Sequence, residues 1–416
     1  MYGRESDERV RSMADAVARR SYGKLVALLA ARTGDLAAAE DALSEAFLAA
    51  ISDWPRNGCP SNPEGWLLTA ARRKMIDFAR RRRIEVTAAE HYGVLADGPD
   101  PASASGEIPD HRLALMFVCA HPAIDAGIRS PLILQAVLGL NSATIASAFL
   151  VSPATMAQRL VRAKHKIKEA GIPFRIPERD DLPGRLDAVL DAIYAAYAEG
   201  WTDMGGSDVA RRDLAEEALF LGRLVTELLP QEPEALGLCA LMFHAEARRG
   251  ARRNAHGGYV PLAEQAISLW DSRLIDAAEA LLLRASAIGR VGRYQLEAAL
   301  QSAHVHRRRT GEPNWPAVLQ LYDALLAVTG SPVVAINRAL AIAETHGAGV
   351  AIRALDEIAV DSRLADYQPY WAARADLLAR IGANGEARHA YDMAIGLERD
   401  AAVRTFLLRR QSDLTR

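Results

Sequence analysis

The side chains between Ser152 and Lys168 have the composition of a nucleic-acid contact. At helical spacing, Thr155, Gln158, Arg162 and His165 fall on one face. Polar groups of this kind bind base edges, and cations neutralise phosphates, so the segment is suited to reading a DNA duplex. Up to Glu169, which is the one acid, the segment has five cations: Arg159, Arg162, Lys164, Lys166 and Lys168.

Two helices joined by a tight turn would position these side chains. Asn141 or Ser142 can cap a short helix, and a turn follows at Leu150 and Val151. Ser152 and Pro153 then suit the N-cap and first turn of a second helix. That helix has one apolar stripe, composed of Met156, Leu160, Ala163 and Ile167. The pattern predicts a helix-turn-helix; the alternative is an ordinary helical hairpin with a solvated charged face.

A second basic cluster lies at 66–83, where seven of the twelve residues from Arg72 to Arg83 are basic. Leu67, Ala71, Met75 and Phe78 would form its buried stripe, which leaves the cations along the outer side of one helix. The preceding Pro-rich turn holds Trp54 and Trp66. Cations beside aromatic rings suit a single-stranded or flipped base, although a solvated charged face has the same pattern.

An acidic segment at 33–55 contains five acids and no base. Its inner stripe would be Leu36, Ala39, Leu43, Ala46 or Phe47, and Ala50, with Leu48 and the acids facing outward. An acidic helix repels DNA, so this segment is predicted to face a protein partner.

The composition of the 416 residues is that of a globular protein, since 50% are apolar and 25% charged, which excludes a disordered or collagen-like chain. Helical periodicity predicts an all-α fold with two or three domains. The sequence lacks both an apolar run long enough to span a membrane and a signal peptide, so we expect a cytoplasmic protein without membrane contact.

The cysteines, Cys59, Cys119 and Cys239, are far apart and form no C-x-x-C pair. This spacing indicates neither a disulfide framework nor a zinc site, and we expect buried, unpaired side chains. No phosphate-binding loop or hydrolase motif is present. We therefore expect no catalytic residues, no metal and no cofactor.

Pro-rich and charge-rich segments divide the chain into a domain at 10–84, a flexible linker at 85–110, a helix-turn-helix domain at 111–172 and a C-terminal extension at 180–416. Residues 1–175 carry a net charge of +4 and residues 176–416 a net charge of −6. Any polyanion should bind the N-terminal part.

The extension contains an internal repeat, since 337–355 aligns with 373–391 at an offset of 36. Each copy is predicted to form a helix, a Gly-containing turn and a second helix. This pattern is typical of tetratricopeptide-like pairs, which stack because one pair alone cannot bury its apolar faces.

In this order and spacing, the acidic segment, the basic cluster and the helix-turn-helix resemble the RNA polymerase sigma factors of the extracytoplasmic-function (ECF) type. GDLAAAEDALSEAFLAA is similar to sigma region 2.2, NPEGWLLTAARRKMIDFARRRR to region 2.4, and residues 111–170 to region 4. CAHPAI at 119–124 and RLDAVLDAIYAAYAEGW at 185–201 further resemble the ECF group that carries a long tetratricopeptide-like extension.

The resemblance implies that the chain binds core RNA polymerase, through the β′ clamp helices and the β flap, and promoter DNA. It implies three sets of contact residues. Core polymerase would contact Asp41, Glu45 and Leu48. The melted −10 strand would contact Asn62, Arg72, Arg73, Lys74, Asp77 and Arg80, and the −35 duplex Ser152, Thr155, Gln158, Arg159 and Arg162.

The acidic extension would either cover Arg72 to Arg83 or the recognition helix until a signal releases it, or dock on the sigma domains or polymerase and be needed for initiation. One alternative is a helix-turn-helix repressor or activator with a helical sensor domain, which leaves the acidic and basic segments unexplained. Another is an all-helical enzyme or scaffold in which both basic runs are solvent faces.

Overall fold

The computed structural model describes residues 21–85, 111–149, 151–178, 181–201, 209–306 and 310–414. These ranges contain helices and turns and no β-strand, so the predicted all-α fold is confirmed. The chain divides into two compact units, Met1–Leu224 and Val225–Arg416. The predicted linker, beyond Glu85, lies outside the described residues.

Short and medium-length helices build the first unit. They are α1 (21–33), α2 (Leu36–Asn57), α3 (Pro63–Glu85), α4 (Arg112–Cys119), α5 (Ala126–Ala136), α6 (Ser142–Ala148), α7 (Pro153–Glu169), α8 (Pro183–Trp201) and α9 (Val209–Leu228), the last of which ends beyond the unit boundary.

Helices α2 and α3 pack side by side, each through the apolar stripe of its sequence. Gly34 adopts a φ of 65°, and the Asp35 carboxylate then caps α2 by accepting a hydrogen bond from the Ala38 N–H at 3.1 Å. The buried residues of the two stripes are Leu36, Ala39, Leu43, Ala46 and Ala50 on α2 and Leu67, Ala71 and Met75 on α3.

Helices α6 and α7 are joined by a tight turn at the position where the sequence predicts one. The Val151 N–H bonds to the Ala146 carbonyl at 3.0 Å, and the Ser152 hydroxyl caps α7 by accepting from the Thr155 N–H at 3.2 Å. Met156, Leu160, Ala163 and Ile167 are all buried, as the stripe predicted. Leu150 of the predicted turn lies outside the described residues.

Helix α8 packs on α4 and α5, although the sequence places it in the extension. The Ser130 hydroxyl donates to the Ala188 carbonyl at 3.1 Å, and the buried Arg185 guanidinium donates to the Phe117 carbonyl at 3.4 Å. Val189 and Ile193 of α8 are fully buried. The start of the extension therefore shares a hydrophobic core with α4 and α5.

Helices and four short 3-10 turns build the described part of the second unit. The α-helices are α10 (Pro233–Ala247), α11 (Ser272–Ala287), α12 (Arg293–Val305), α13 (Trp315–Thr329), α14 (Pro332–His346), α15 (Ala348–Ile358), α16 (Gln368–Arg380), α17 (Asn384–Leu397) and α18 (Ala401–Asp413). The 3-10 turns are Arg249–Arg252, Leu262–Glu264, Ile267–Leu269 and Ser362–Leu364.

The internal repeat corresponds to two helix pairs, α14 with α15 and α16 with α17. Its aligned small residues, Ala339 with Ala375 and Ala351 with Ala387, are fully buried. Both pairs contribute to one hydrophobic cluster, which α18 completes with Leu407. Small residues at these positions let the helices approach closely, so the 36-residue offset has a structural basis.

A buried histidine in α10 gives the second unit a predictable pH dependence. Burial, reinforced by Arg248, lowers the pKa of His244 to about 4. The Oε1 atom of Glu279 lies 3.6 Å from the imidazole Nε2. His244 takes up a proton near pH 6.5 in the unfolded chain but only near pH 4 in the folded chain. Protonation therefore favours the unfolded chain between these pH values. The free energy of unfolding is unaffected by His244 above pH 6.5 and decreases as the pH falls towards 4.

We expect His244 to lower the free energy of unfolding by about 2 kcal/mol between pH 7 and pH 5. Urea unfolding of the protein and of His244→Gln at both pH values measures this loss, because glutamine keeps the approximate volume and removes the titration. An equal loss in both proteins would assign the pH dependence to other groups.

Candidate nucleic-acid and polymerase interfaces

The outer face of α7 is the first candidate interface. Gln158, Arg159 and Arg162 are exposed, opposite the buried stripe. The hydroxyls of Ser152 and Thr155 lie 2.8 Å apart at the start of the helix, also at the surface. The five predicted −35 residues therefore share one accessible surface at the N-terminal half of α7, where backbone N–H groups and cations favour a phosphate-bearing ligand.

Two of the five cations of α7 do not belong to that surface. Lys164 forms an ion pair with Glu40 of α2, and the Lys168 Nζ lies 2.5 Å from the Asp35 Oδ2. Arg159, Arg162 and Lys166 remain exposed on the outer side. The prediction that all five cations face phosphates is therefore wrong for this conformation, because the acidic helix lies beside α7.

The N-terminal half of α3 is the second candidate interface. The Asn62 side chain accepts a hydrogen bond from the Gly65 N–H at 2.9 Å, so it caps the helix while remaining exposed. Trp54 and Trp66 meet edge to face with ring centroids 5.6 Å apart. Trp54 is buried and Trp66 is half-buried, so this pair supports the loop between α2 and α3.

The predicted −10 residues of α3 are mostly accessible. Arg73, Lys74 and Asp77 are exposed, and Arg72 is half-buried. Arg80 lies in α3, but its side chain is outside the described residues. Of the described cations, Arg73 and Lys74 are thus accessible to a ligand, whereas Arg72 is partly covered. Both tryptophans of the predicted turn lie in helices, Trp54 in α2 and Trp66 in α3.

The outer face of α2 is the third candidate interface. Asp41 and Glu45 are exposed, and 61% of Leu48 is accessible. The Lys74 Nζ lies 3.2 Å from the Glu45 Oε2, so the acidic face of α2 borders the cationic face of α3. An accessible leucine flanked by carboxylates suits a partner protein with an apolar pocket and basic rim.

Glu40 departs from the predicted outward orientation of the acids. Its side chain is only 11% exposed, because it shares the inner side of α2 with Leu36 and Leu43 and meets Lys164 of α7. Burial raises the pKa of Glu40 against the opposing influence of Lys164. The sequence already indicates that Glu40 lies on the buried side of α2, since it follows Leu36 by four residues and precedes Leu43 by three.

None of the three cysteines forms a disulfide in the described residues; Cys119 and Cys239 are buried as expected, whereas Cys59 is half-buried. In the ranges that the structure covers, no group of three His, Cys, Asp or Glu side chains could hold a metal ion. None of the helices described above is both long and apolar enough to cross a bilayer.

Comparison with known proteins identifies two parts of the chain. Residues 17–84, which include α2 and all but the last residue of α3, match the family model described as sigma-70 region 2. Residues 185–286 match a family of unknown function, DUF6596. No solved structure matches the chain significantly.

Two curated relatives are similar to the chain over different lengths. The uncharacterized protein R00370 of Rhizobium meliloti is 38% identical over 375 residues, which cover 89% of this chain and 88% of the relative. The probable RNA polymerase sigma factor RfaY of Xanthomonas campestris is 29% identical over 222 residues, which cover 50% of this chain and 52% of the relative.

One segment of the chain thus matches sigma-70 region 2, and about half of the chain is similar to a probable sigma factor. The chain belongs to the same family as the Rhizobium protein, to which it is similar over nearly its whole length.

Proposed function

We propose that the chain is a sigma factor of the ECF type, which binds core RNA polymerase and directs promoter recognition and transcription initiation. In this role it has no catalytic residues and needs no cofactor, since polymerase carries the chemistry. The tetratricopeptide-like extension is proposed to be regulatory.

One observation carries this proposal. The segment that matches sigma-70 region 2 is followed, in the same compact unit, by a helix-turn-helix with an accessible polar and cationic face. A repressor needs only the second of these elements. A sigma factor binds core polymerase, the −10 strand and the −35 duplex. The acidic-apolar face of α2, the cations of α3 and the outer face of α7 suit these three partners in turn.

Each face has its proposed partner. Asp41, Glu45 and Leu48 contact core polymerase. Exposed cations of α3, with Asn62 and Asp77, contact the melted −10 strand, whose unstacked bases can reach side chains that a duplex excludes. The N-terminal half of α7 enters the major groove at the −35 element.

In vitro transcription with purified core polymerase on a promoter library tests the proposal. Transcripts that start at discrete sites only when the chain is added are the expected result. Specific DNA binding without any association with core polymerase would instead indicate a helix-turn-helix regulator, and the absence of both would contradict both functions.

The proposed reading helix makes a prediction that separates base contacts from phosphate contacts. Gln158→Ala should relax the preference for the −35 sequence, because a good base contact is worth about 1 to 3 kcal/mol of discrimination. Arg162→Ala should weaken binding to all sequences, because its guanidinium would contact phosphate. Binding measured on a set of −35 variants distinguishes the two, and equal losses on every variant for both substitutions would contradict the assignment.

The extension supplies one of two regulatory effects. It either covers a promoter-reading face until a signal releases it, or it docks on the sigma domains or polymerase and is needed for initiation. We favour the second, because α8 already packs on α4 and α5 while the outer face of α7 remains exposed.

A further inference from the structure

Val161 is an exposed apolar side chain on the outer face of α7, and none of the contacts proposed above uses it. It is 56% exposed, whereas the stripe on the opposite side of the helix is buried. Single apolar residues are common on protein surfaces, and Val328 of the second unit is exposed to the same extent. Exposure alone therefore indicates no function, and it is the position of Val161 on the helix that suggests one.

Val161 lies among the side chains that are proposed to read DNA. Four exposed residues share the side of α7 opposite the buried stripe, because at 3.6 residues per turn they lie within about 60° of one another around the helix axis. They are Ala154, Gln158, Val161 and His165. A ligand that contacts Gln158 therefore also meets Val161.

The charges beside Val161 indicate what kind of ligand this is. Arg159, Arg162 and Lys166 are exposed along one flank of the four residues, so the face attracts a polyanion. A protein partner would bury little apolar surface here, since only Val161 and Ala154 of the four are apolar. The major groove of DNA combines phosphates at its rims with the C5-methyl groups of thymines on its floor, so it fits both features.

The spacing along α7 fits two adjacent base pairs. Gln158 and Val161 are three residues apart, which is about 4.5 Å along the helix axis. Stacked base pairs are about 3.4 Å apart. Glutamine suits adenine, because its side-chain amide can bond to N6 and N7 of that base together. When Gln158 contacts one base pair, Val161 thus lies over the next.

We propose that Val161 is a specificity-determining residue, which packs against the C5-methyl group of a thymine in the base pair next to the one that Gln158 contacts. The contact removes apolar surface from water and needs no hydrogen bond. Burial of one methyl group changes a binding constant by about fourfold, so thymine is favoured by that factor over uracil, which lacks only the methyl group. The identity of the duplex as a −35 element rests on the proposed sigma-factor function.

Uracil substitution tests this contact at the level of one methyl group. The full-length protein with core polymerase first selects a −35 duplex from a random library, and each thymine of that duplex is then replaced in turn by uracil. In the parent protein, one replacement should weaken binding about fourfold, and the others should have little effect. The sensitive thymine should adjoin the base pair that Gln158→Ala no longer discriminates.

Substitutions of Val161 assign the effect to this side chain. Val161→Ser should remove the uracil sensitivity, since serine has no methyl group. Serine and valine have similar helix propensities and position 161 is outside the buried stripe, so the fold should be unchanged. Val161→Thr keeps one methyl group in nearly the same shape and should retain part of the sensitivity. Val328→Ser, a matched control in α13, should bind both kinds of duplex like the parent protein.

Two results would overturn the role of Val161 in reading thymine. One is the absence of any uracil penalty in the parent protein. The other is a full penalty retained in Val161→Ser; if that variant also loses association with core polymerase, the residue belongs to a protein interface instead.

Failure of the proposed sigma-factor function gives a different result. The protein would then select a duplex when alone and show no association with core polymerase, and the same uracil series on that duplex would still decide the role of Val161. Selection of no duplex under either condition would refute both the function and the thymine contact.

Discussion

Reversal of Asp41 and Glu45 to lysine is expected to abolish association with core RNA polymerase. Both carboxylates are exposed on α2 beside Leu48, and like charge placed at a complementary patch costs several kcal/mol. The substitutions should leave the fold intact, because neither side chain belongs to the buried stripe. Co-elution or surface-immobilised binding with purified core polymerase measures the effect.

A matched control is available on the second unit. Reversal of Glu357 and Asp366 makes the same change of net charge at exposed positions that no proposed interface includes. The control should bind core polymerase like the parent protein. Binding by the α2 variant at parental strength, with an unchanged circular dichroism spectrum, would show that the acidic face of α2 is not the docking site.

Truncation after Arg179 is expected to destabilise the helix-turn-helix domain itself. This cut removes α8, whose Val189 and Ile193 are buried against the domain, and each buried side chain of that size contributes about 1.5 to 3 kcal/mol. It also leaves the Phe117 carbonyl without Arg185 and the Ser130 hydroxyl without its acceptor. Thermal unfolding should show an early transition or none.

Truncation after Leu228 retains α8 and α9. It therefore tests the effect of the rest of the extension on transcription without removing the helix that packs on α4 and α5. We expect this shorter chain to remain folded and to give a lower transcript yield with core polymerase than the full-length protein, as a positive contact requires. A higher yield would instead support masking by the extension. An unchanged yield would contradict both effects and leave the extension as a separate partner-binding module.

Local features of the fold were predictable because they depend on residues close together in sequence. The cap at Ser152 and the stripe from Met156 to Ile167 follow from helical periodicity and hydrogen-bonding groups alone. The repeat at Ala339 and Ala375 was visible for the same reason, since both residues occupy equivalent positions in their helices. The exposed faces of α2 and α7 follow from the stripes that oppose them.

Contacts between distant segments were not predictable in this way. Periodicity places Glu40 on the inner side of α2, but only the approach of α7 explains why a carboxylate is tolerated there. The demand for glycine at position 23 comes from Val137, more than a hundred residues away. Likewise, α8 resembles its neighbours in the extension, and only its packing on α4 and α5 assigns it to the earlier domain.

The repeated helices of the second unit are joined by a chain of charges. Glu344 of α14 lies 2.5 Å from Arg380 of α16, which lies 2.8 Å from Asp376 on its own helix, and Asp376 lies 2.6 Å from Arg410 of α18. In a stacked array, the strength of coupling between neighbours sets how cooperatively the array unfolds. These partly exposed ion pairs bridge one repeat to the next, and added salt screens them. Higher ionic strength therefore weakens the coupling between repeats without weakening the apolar core of each repeat. We therefore expect added salt to broaden the unfolding transition of the array, with the helices at its end separating before those in its middle.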